Sequence, residues 1–511
     1  MKNRLFYGDC LDVLMNSIED ESIDLIYIDP PFNSKRSYNV LFESIDMSDV
    51  KAQKEAFADT WSNVMYLDQL AEIQDLHLDL WKLLRTLDSI NISKGAVSYL
   101  TTMALRIFYM HRKLKPTGSF YLHCDPTMSH YLKIVCDQIF GSHNFLNEIV
   151  WCYKERELSR RYWNRKHDII LFFAKDARNE GRVFNVKDLY LSYSPGTLKK
   201  YTLVDEGGRR FQIRGKGGPY IGEQGLSVSV EKEHPEWTYR DYLDKKPGIL
   251  PRDWFDDIPF INRAAKERLG YPTQKPEALL ERLISASSNE GDLVADFFCG
   301  CGTAVAVAQR LNRRWIGVDI SHLAVRLIYN RVLERYRNNP EQFREVLKSI
   351  EINGFPRDIA SARELATGTK KGRFKFQDWV IEIMLDGVSN PKKVGDGGYD
   401  GYLTLYRDAK KKDVVLVEVK SGSVNVGDLR KFIYVVEHEK AEIGVWVCFA
   451  DQVTRGMESL ARQAGYYDQE AFGTKFPRIQ ILTVEDLLEG KTVAHPNPAM
   501  FNVTFKKAFR G

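Results

Sequence analysis

The segment Asp29-Pro30-Pro31-Phe32 combines the groups needed to hold a flat aromatic amino group. The apolar run 23–28 ahead of it predicts a strand, so Asp29 would stand at the carboxyl end of that strand, where α/β folds place ligands. Because two prolines fix the backbone and remove amide hydrogens, the segment presents acceptors, the Asp29 carboxylate and the Pro30 carbonyl. Phe32 offers a face on which a base can stack. Taken alone, the segment fits a rigid turn equally well.

A second segment, Asp296-Phe297-Phe298-Cys299-Gly300-Cys301-Gly302, predicts a nucleoside site. Residues 293–298 form a predicted strand, 299–302 a tight turn and 303–311 a helix, and the glycines let the backbone approach a ligand at the head of that helix. Asp319 ends the next predicted strand, about twenty residues on, where a carboxylate can bind ribose hydroxyls. Val305 stands where a dinucleotide-binding turn has its third glycine, which favours S-adenosylmethionine over a nicotinamide cofactor. A purely structural strand-turn-helix is the alternative.

Both segments need a sheet whose strands end at a common edge. Through about residue 335, short apolar runs alternate with longer helical patterns, which is typical of a mostly parallel sheet covered by helices and predicts an α/β fold. Strands are predicted at 24–28, 119–123, 168–173, 293–297 and 315–318. Helices are predicted at 127–140, which ends at Gly141, and at 277–287, which follows Pro276.

The remaining segments differ in composition. Between about 176 and 270 the periodicity degrades into a stretch rich in Gly, Tyr and basic residues, which predicts an inserted, loop-rich segment. Residues 336–371 are highly charged and lack strand periodicity, which predicts a helical connector. Residues 372–490 show a helix, a hairpin, a helix, a strand and another helix, and therefore predict a second, smaller α/β domain. Residues 491–511 form a weakly patterned tail.

Composition excludes several classes of protein. The 511 residues are enough for roughly two to four domains, and no apolar run approaches the roughly 18 residues of a membrane span. The seven cysteines lack paired spacings, which argues against a disulfide framework and a zinc module. With no predicted signal peptide, the expected compartment is the cytoplasm. A net charge of +4 permits a polyanionic partner without establishing one.

The order of the first two segments resembles that of the β-class DNA amino-methyltransferases, over about residues 1–335. Gly8-Asp9-Cys10, the stretch 118–125 and Tyr271-Pro272-Thr273-Gln274-Lys275-Pro276 complete the likeness. The resemblance implies a Rossmann-like, S-adenosylmethionine-dependent methyltransferase domain in which Asp29, Pro30, Pro31 and Phe32 are catalytic. It also implies that Asp9 and Cys10 adjoin the cofactor adenine and Asp319 its ribose, and that the methionine side of the pocket is formed by Lys275, Asp296, Phe298, Gly300 and Gly302.

The same resemblance implies the substrate. An Asp at position 29 is similar to the adenine-specific members, whereas those that methylate the amino group of cytosine usually have Ser there, so cytosine is the alternative. The base must be flipped out of double-stranded DNA to reach the site. Residues 155–270 then form the target-recognition region, with candidate phosphate contacts at Arg160, Arg161, Tyr162, Trp163, Arg165, Lys166, Arg209, Arg210, Arg214 and Lys216. Cys299 and Cys301 are expected to be packed residues rather than reactive thiols.

Three residues of the second domain could form a metal-dependent nuclease centre. Asp400 opens a predicted hairpin, and Glu418 and Lys420 share one face of its second strand. Two carboxylates can hold Mg²⁺, and a lysine beside them can orient water for phosphodiester attack. Over about residues 372–487 this arrangement resembles the Mrr-type restriction endonucleases of the PD-(D/E)xK superfamily. The resemblance implies that Asp400 and Glu418 bind metal and that Lys420 is catalytic, and Gln377 departs from it because relatives often have Glu there.

Together the two likenesses predict an adenine-specific DNA methyltransferase of a restriction-modification or defence system, fused to a magnesium-dependent nuclease. The alternative is a methyltransferase whose C-terminal domain is an inactive DNA-binding module. Homodimerisation is left open. The chain has no Gly-x-x-x-x-Gly-Lys-Ser/Thr phosphate loop, so a translocase, like any separate restriction subunit, would have to come from a partner.

Overall fold

The computed structural model describes residues 2–31, 65–90, 93–153, 163–164, 166–245, 248–262, 265, 267–269, 271, 273–336, 339–356, 358–368, 370–385, 387–390, 397–406, 412–469 and 474–495. The predicted catalytic residue Phe32, positions 160–162 and 165 of the predicted phosphate contacts, and the end of the tail lie outside the described residues. Within them, no helix is both long enough and apolar enough to cross a membrane.

The first part of the chain contains thirteen strands within the described residues. In chain order they are β1 (Asn3–Tyr7), β2 (Ile23–Ile28), β3 (Leu114–Cys124), β4 (Phe145–Cys152), β5 (His167–Ala174), β6 (Leu203–Val204), β7 (Arg210–Gly215), β8 (Gln224–Leu226), β9 (Thr238–Tyr242), β10 (Trp254–Phe255), β11 (Leu293–Asp296), β12 (Arg314–Asp319) and β13 (Ile350–Asn353).

The helices of this part flank the strands. They are α1 (Cys10–Asn16), α2 (Met65–Leu76), α3 (Leu78–Ser89), α4 (Lys94–Lys113), α5 (Ser129–Phe140), α6 (Pro195–Leu198), α7 (Val228–Glu233), α8 (Glu277–Ser287), α9 (Thr303–Arg310), α10 (His322–Glu334) and α11 (Pro340–Ser349). Single 3-10 turns lie at Ser142–Asn144, Val186–Leu189, Gly218–Tyr220 and Leu243–Lys245.

Nine of these strands form one sheet in the order β10-β4-β5-β3-β2-β11-β12-β1-β13. Strand β5 runs antiparallel to both of its neighbours, and the other pairs are parallel. The predicted mostly parallel α/β sheet is therefore confirmed. The strands predicted at 24–28, 119–123, 168–173, 293–297 and 315–318 correspond to β2, β3, β5, β11 and β12, and the helices predicted at 127–140 and 277–287 correspond to α5 and α8.

Alternate residues of each strand face opposite sides of the sheet and enter two different cores. Ile26 and Ile28 of β2 pack into the core covered by α1 to α5. Leu25 and Tyr27 of the same strand pack into the core covered by α8, α9 and α10. Because β2 is buried on both faces, its sequence reads as a nearly continuous apolar run rather than an alternating one.

The segment predicted to be an inserted, loop-rich stretch contains a sheet of its own, so that prediction was incomplete. Strand β7 pairs with β6, β8 and β9, all antiparallel. Phe211 and Ile213, which alternate along β7, are buried and anchor this small sheet. The strands are short and interrupted by glycines, and this hides the period of two from the sequence.

The prediction that residues 336–371 form a helical connector was wrong in one respect, because this segment also contains a strand. After α11, β13 pairs in parallel with β1 and extends the main sheet. Ile350 and Ile352 pack against the core shared with α8 to α10. The run alternates apolar and polar residues, but with only four residues it does not stand out from the charged segment around it.

The second part of the chain forms a separate five-stranded sheet. Its strands follow the order β14-β15-β16-β17-β20, and β18 and β19 pair with each other. Their bounds are β14 (Val388–Ser389), β15 (Gly401–Tyr406), β16 (Lys412–Val419), β17 (Ile443–Cys448), β18 (Tyr466–Gln469), β19 (Thr474–Pro477) and β20 (Ile479–Thr483). The helices are α12 (Ile359–Thr367), α13 (Lys370–Asp378), α14 (Val426–His438), α15 (Arg455–Gln463) and α16 (Val484–Leu488), with a 3-10 turn at Ala450–Gln452.

Helix α13 continues directly into a π-helical turn, Trp379–Met384, which packs in the core of this second sheet. Ala362 and Ala366 of α12 belong to the same core, so the segment predicted as a connector divides between the two parts of the chain. The predicted α/β class of the second domain is confirmed. Its last strands, β18 to β20, were not predicted.

Candidate active site

The carboxyl end of β2 places Asp29 in a cavity lined by residues from four segments. Lys275 Nζ lies 2.5 Å from Asp29 Oδ2, across a sequence separation of 246 residues. The two side chains are 10% and 15% exposed, so this ion pair is largely shielded from water. The cavity is lined by Tyr27, Asp29, Tyr271, Thr273, Gln274, Lys275, Leu280, Asp296, Phe298, Cys299, Gly300, Cys301, Thr303 and Ala304.

Asp296, the last residue of β11, contributes a buried carboxyl group to the cavity. Its Oδ1 accepts the amide hydrogen of Phe298 at 3.0 Å. Burial raises the pKa of Asp296 well above its ordinary value; the Phe298 amide opposes this effect, and the nearby charges of Asp29 and Asp319 add to it. The protonated form of Asp296 is therefore favoured, and an uncharged carboxyl group can donate as well as accept a hydrogen bond.

The glycine-rich turn is held by Asp319 at the end of β12. Asp319 Oδ2 accepts from the Gly300 amide at 2.7 Å, and Oδ1 accepts from the Ser321 amide at 2.8 Å. Gly300 and Gly302 have φ values of +50° and +73°, a backbone region that side chains disfavour. Asp319 thus fixes the turn in the form that leads into α9.

Cys299 and Cys301 are buried, 6% and 3% exposed, and burial raises the pKa of both thiols. Cys299 Sγ donates to the Asp296 carbonyl at 3.1 Å. Packed, un-ionised thiols of this kind are poor nucleophiles. All seven cysteines are free thiols, as the scattered spacing predicts.

A second loop, Gly8-Asp9-Cys10, follows β1 beside this turn. The Gly8 amide donates to the Asp319 carbonyl at 3.0 Å. Asp9 caps α1 by accepting from the Leu11 amide, and both of its oxygens accept from Arg106 of α4, at 2.7 and 2.8 Å. Arg106 is only 2% exposed. In this structure the Asp9 carboxylate is a fixed part of the loop, and its contact with a cofactor adenine remains a prediction.

The fold therefore gathers part of the predicted site. Asp29, Lys275, Asp296, Phe298 and Gly300 line one cavity. Asp319 does not line the cavity itself, but its carboxylate accepts a hydrogen bond from the amide of Gly300, which does. Asp9 and Cys10 lie in the adjoining loop and do not line the cavity, and neither does Gly302, whose own neighbours Cys301 and Thr303 do.

Tyr27 and the residues behind it are the part of the site that the sequence did not predict. Tyr27 Oη lies 3.0 Å from His123 Nδ1, and His123 Nε2 lies 3.2 Å from Asp168 Oδ2. Tyr153 Oη donates to Asp168 Oδ1 at 3.3 Å. His123 belongs to the stretch 118–125 that carries part of the family likeness, and a histidine at the end of an otherwise apolar strand was the available signal.

The basic residues predicted to contact phosphates are partly engaged within the inserted sheet. Arg209 Nε lies 2.7 Å from Asp244, and Arg214 Nη1 lies 3.5 Å from Asp241. Arg210 donates to the carbonyls of Tyr201 and Leu198. Trp163 is 95% exposed. Contact of these residues with phosphates remains a prediction.

The second sheet brings together the three residues of the predicted nuclease centre. Lys420 forms an ion pair with Glu418, which is 8% exposed. The Asp400 carboxylate accepts from two donors, Gln377 Nε2 at 2.9 Å and the Val419 amide at 2.8 Å. Within the described part of the chain, no group of three or more His, Cys, Asp or Glu side chains is arranged to hold a metal ion.

Comparison with known families identifies the first part of the chain. A family model described as "DNA methylase", of the N6/N4 type, matches residues 23–330, more than half of the chain. The chain belongs to this family. It is a DNA amino-methyltransferase of an S-adenosylmethionine-dependent family, and the matched residues include Asp29, Lys275 and the glycine-rich turn.

Relatives of this DNA methylase cover much of the same region. DNA adenine methyltransferase YhdJ of Escherichia coli (strain K12) is 26% identical over 345 residues, which are 67% of this chain and 87% of the relative. Type II methyltransferase M.HpaI of Haemophilus parainfluenzae is 27% identical over 322 residues, 63% and 71% of the two chains. The solved structure of PvuII DNA methyltransferase (cytosine-N4-specific) covers 69% of this chain and 95% of its own, with a TM-score of 0.38 and 15% identity.

A second family model, described as "NACHT-associated inactive Restriction Endonuclease 1", matches residues 375–489. The methylase therefore carries a restriction-endonuclease-like domain, as the sequence predicts. The word "inactive" in that description counts against the predicted cleavage by Asp400, Glu418 and Lys420.

Proposed function

We propose that this methylase transfers a methyl group from S-adenosylmethionine to the exocyclic amino group of an adenine flipped out of double-stranded DNA. The observation that carries the proposal is the position of Asp29. It lies at the carboxyl end of a central strand and shares a cavity with Lys275, Asp296, Phe298 and Gly300. An acceptor for the amino group thus adjoins a glycine turn suited to a nucleoside cofactor.

The donor set of the cavity fits S-adenosylmethionine. Gly300 and Gly302 keep the turn free of side chains, and Asp319 stands at the end of the neighbouring strand β12. Lys275 would supply a cation for the carboxylate of the cofactor. A Cβ at Gly8 would meet nothing within 4 Å, so the loop before Asp9 borders open space. When bound, S-adenosylmethionine supplies the electrophilic methyl group.

The chain's own groups then act on the amino nitrogen. The Asp29 carboxylate and the Pro30 carbonyl accept its hydrogens, which localises the lone pair on nitrogen. Because Lys275 holds Asp29 Oδ2 at 2.5 Å, the other carboxylate oxygen is the one better placed to receive a substrate hydrogen. Cavity walls that include the buried Asp296 and Leu280 limit the access of water and so strengthen these contacts.

Adenine is favoured over cytosine by two observations. Asp rather than Ser occupies position 29, as in the adenine-specific members of the resembled class. YhdJ, which matches over 67% of this chain, is by name a DNA adenine methyltransferase. The recognition sequence would be set by residues 155–270, whose small sheet is separate from the main one.

The proposal is tested by comparing wild-type protein with Asp29→Ala and a surface control, Asp79→Ala. Each is incubated with unmethylated duplex DNA and S-adenosylmethionine, and the modified base is identified by mass spectrometry of the digested DNA. We expect N6-methyladenine from wild type and Asp79→Ala, and a rate loss of at least about 100-fold in Asp29→Ala. Wild-type rates in Asp29→Ala would refute the catalytic role, and N4-methylcytosine in place of N6-methyladenine would refute the target.

We infer that the C-terminal domain keeps the nuclease fold without cutting DNA. Both oxygens of Asp400 already accept hydrogen bonds, one of them from an amide side chain, Gln377, at the position where nuclease relatives often have Glu. A metal at this site would have to share the Asp400 oxygens with those two donors. The competing hypothesis keeps Asp400 and Glu418 as ligands of Mg²⁺ and Lys420 as the catalytic lysine.

The two hypotheses differ in metal binding. We expect wild-type protein to leave unmethylated plasmid DNA intact in the presence of Mg²⁺ or Mn²⁺. We also expect neither ion to change the melting temperature of the wild-type protein. In Gln377→Glu a third carboxylate replaces a donor beside Asp400, so a metal-dependent rise in melting temperature is expected there. Cleavage by wild type that disappears in Lys420→Ala would establish the nuclease instead.

A further inference from the structure

A buried chain of polar side chains runs from the active-site cavity across the sheet. Tyr27, His123 and Asp168 come from the adjacent strands β2, β3 and β5, and Tyr153 follows β4. Tyr27 is 2% exposed and His123 is fully buried. Tyr27 and Asp29 stand two residues apart at the end of β2, so their side chains point to the same face, and both line the cavity.

The charges of these polar side chains fix the direction of the hydrogen bonds between them. Burial alone would raise the pKa of Asp168, but the hydrogen bond and charge of His123, together with Lys275 and Tyr153, lower it below its ordinary value. Asp168 is therefore an ionised acceptor, and His123 Nε2 donates to it. In a neutral ring Nδ1 is then the acceptor, and the Tyr27 hydroxyl donates to Nδ1.

This direction leaves the lone pairs of the Tyr27 oxygen unused by His123, and Tyr27 is one of the residues that line the cavity. Burial first, and then the nearby acidic groups Asp29, Asp296 and Asp168, raise the pKa of Tyr27 well above its ordinary value, so the phenol keeps its hydrogen. That hydrogen points at His123, and the oxygen lone pairs remain for another partner. A hydroxyl whose hydrogen is directed at a histidine can take up one proton only as it passes its own proton on.

We propose that Tyr27 takes up the proton that the target amino group loses on methylation and passes its own hydroxyl proton to His123. The inference rests on the amino-methyl transfer proposed above. One N–H bond of the methylated amino group breaks, and its electron pair stays on nitrogen. A new O–H bond forms at Tyr27 while the old O–H bond breaks and an N–H bond forms at His123 Nδ1. The resulting imidazolium is paired with Asp168.

Tyr27 is in this scheme a catalytic residue, and His123 and Asp168 are positioning residues that receive and hold the proton. The charged and titratable groups facing the chain are Asp29, Asp296, Lys275 and Tyr153. The acidic groups Asp29 and Asp296 favour a proton in this region, and Lys275 opposes it. The Asp168 side chain is 14% exposed, so the chain reaches water at its far end.

Tyr121 of the same protein is a matched control for Tyr27. Tyr121, the register partner of Tyr27 on β3, is 1% exposed and forms one buried hydrogen bond, to Ser287 at 2.7 Å, but does not line the cavity. Tyr27→Phe and Tyr121→Phe therefore remove the same group from similarly buried positions. We expect kcat to fall by about 10- to 100-fold in Tyr27→Phe alone, with unchanged affinity for S-adenosylmethionine and DNA. Equal kcat values in the two variants overturn the proposal.

Asp168→Asn and the double variant with Tyr27→Phe show whether the residues act as one unit. We expect the double variant to be no slower than Tyr27→Phe, since a relay broken at its first member loses nothing more at its last. In Asp168→Asn the acid limb of the kcat profile should move to lower pH, because a negative charge beside the imidazolium is gone. Independent, multiplying losses with an unmoved limb overturn the relay.

The same measurements separate this inference from the target assignment. If the product is N4-methylcytosine, the adenine proposal fails, yet the comparison of Tyr27→Phe with Tyr121→Phe still decides the relay, because either amino group must lose one proton. If N6-methyladenine forms equally fast in all variants, the adenine proposal stands and the relay fails.

Discussion

The cavity is lined by one cationic side chain, Lys275, and by two carboxyl groups, Asp29 and Asp296. Lys275 holds Asp29 Oδ2, and the buried Asp296 lies close enough to Asp29 and Lys275 to be influenced by both charges. An ion pair this well shielded is costly to break from one side, about 3–5 kcal/mol for buried pairs in general. The Asp29 carboxylate is therefore held by a single ammonium group contributed from 246 residues further along the chain.

A second titratable residue, remote from the cavity, makes stability depend on pH. Burial, and then the charge of Lys175, lower the pKa of His111 from 6.5 to about 4. The unfolded chain binds a proton at His111 more tightly than the native one between these values, so stability falls as pH drops from about 6.5 to about 4. We expect His111→Gln to reduce this loss, which is at most about 1.4 kcal/mol per pH unit, in urea unfolding at pH 7 and pH 4.5.

The control for this prediction is His130→Gln. His130 lies exposed on α5 in the same part of the chain, so its removal should leave the difference between the two pH values unchanged. If His111→Gln and His130→Gln lose the same stability on acidification as wild type, burial of His111 is not the cause.

At the scale of residues, the sequence predicted the groups that carry chemistry but not all of their partners. The position of Asp29 at a strand end followed from the apolar run before it, and the glycine turn from its spacing. Arg106, which binds Asp9, and Asp168, which binds His123, are separated from those partners by 97 and 45 residues. Such pairs depend on the strand order and helix packing, which a single sequence does not specify.

At the scale of elements, the turn between β11 and α9 joins two constraints at Gly302. Its φ is +73°, and a Cβ there would lie 2.5 Å from Ile328 Cγ1, on a fully buried side chain of α10. The left-handed backbone costs a non-glycine residue about 1–2 kcal/mol, and overpacking adds about 1–3 kcal/mol. We expect Gly302→Ala to lower both the free energy of unfolding and the affinity for S-adenosylmethionine, measured by urea unfolding and calorimetric titration.

Gly291 provides the comparison, because it shares the backbone constraint without the contact. Its φ is +82°, and a Cβ there would meet nothing within 4 Å. Gly291→Ala should therefore cost only the backbone term and leave cofactor affinity unchanged. If the Gly302→Ala protein is as stable as the Gly291→Ala protein, Ile328 of α10 can move to accommodate the added methyl group. The packing against Ile328 would then not be what holds the turn.

The elements that the sequence predicted best are those with one dominant signal. Strands β2, β3, β5, β11 and β12 each contain a short, largely apolar run because both faces of the sheet are covered, and α8 begins directly after Pro276. The four residues of β13 and the strands of the inserted sheet lack such a signal. They are stabilised by pairing with neighbours, β1 and β7, whose position the local sequence does not reveal.

At the scale of the whole molecule, the two parts of the chain meet beside the loop Gly8-Asp9-Cys10. The rings of Tyr7 and Phe355 are stacked, with centroids 4.6 Å apart and planes 2° apart. Phe355 packs against the cores of both parts. Lys375 Nζ of α13 lies 5.9 Å from the Tyr7 ring centroid, and α13 also carries Gln377, which binds Asp400.

One helix therefore contacts the strand that leads into Gly8-Asp9-Cys10 and the centre of the nuclease-like sheet. Burial, and then the charges of Asp378 and Glu382, raise the pKa of Tyr7. Because Tyr7 immediately precedes the loop, displacement of its ring would be transmitted to the backbone that borders the cofactor site.

Truncating Phe355 should therefore weaken cofactor binding from outside the site. An aromatic pair contributes about 0.5–1.5 kcal/mol beyond its buried area, so we expect Phe355→Ala to weaken S-adenosylmethionine binding by about three- to tenfold and to reduce the cofactor-induced rise in melting temperature of the full chain. Phe184→Ala is the matched control, since Phe184 stacks on Phe172 of β5, and four other strands separate β5 from β1 in the sheet. If both variants bind the cofactor like wild type, the C-terminal domain does not influence the loop through this contact. A weakening shared by both would indicate general destabilisation, whereas a loss confined to Phe355→Ala would mean that the nuclease-like domain supports the cofactor site of the methylase.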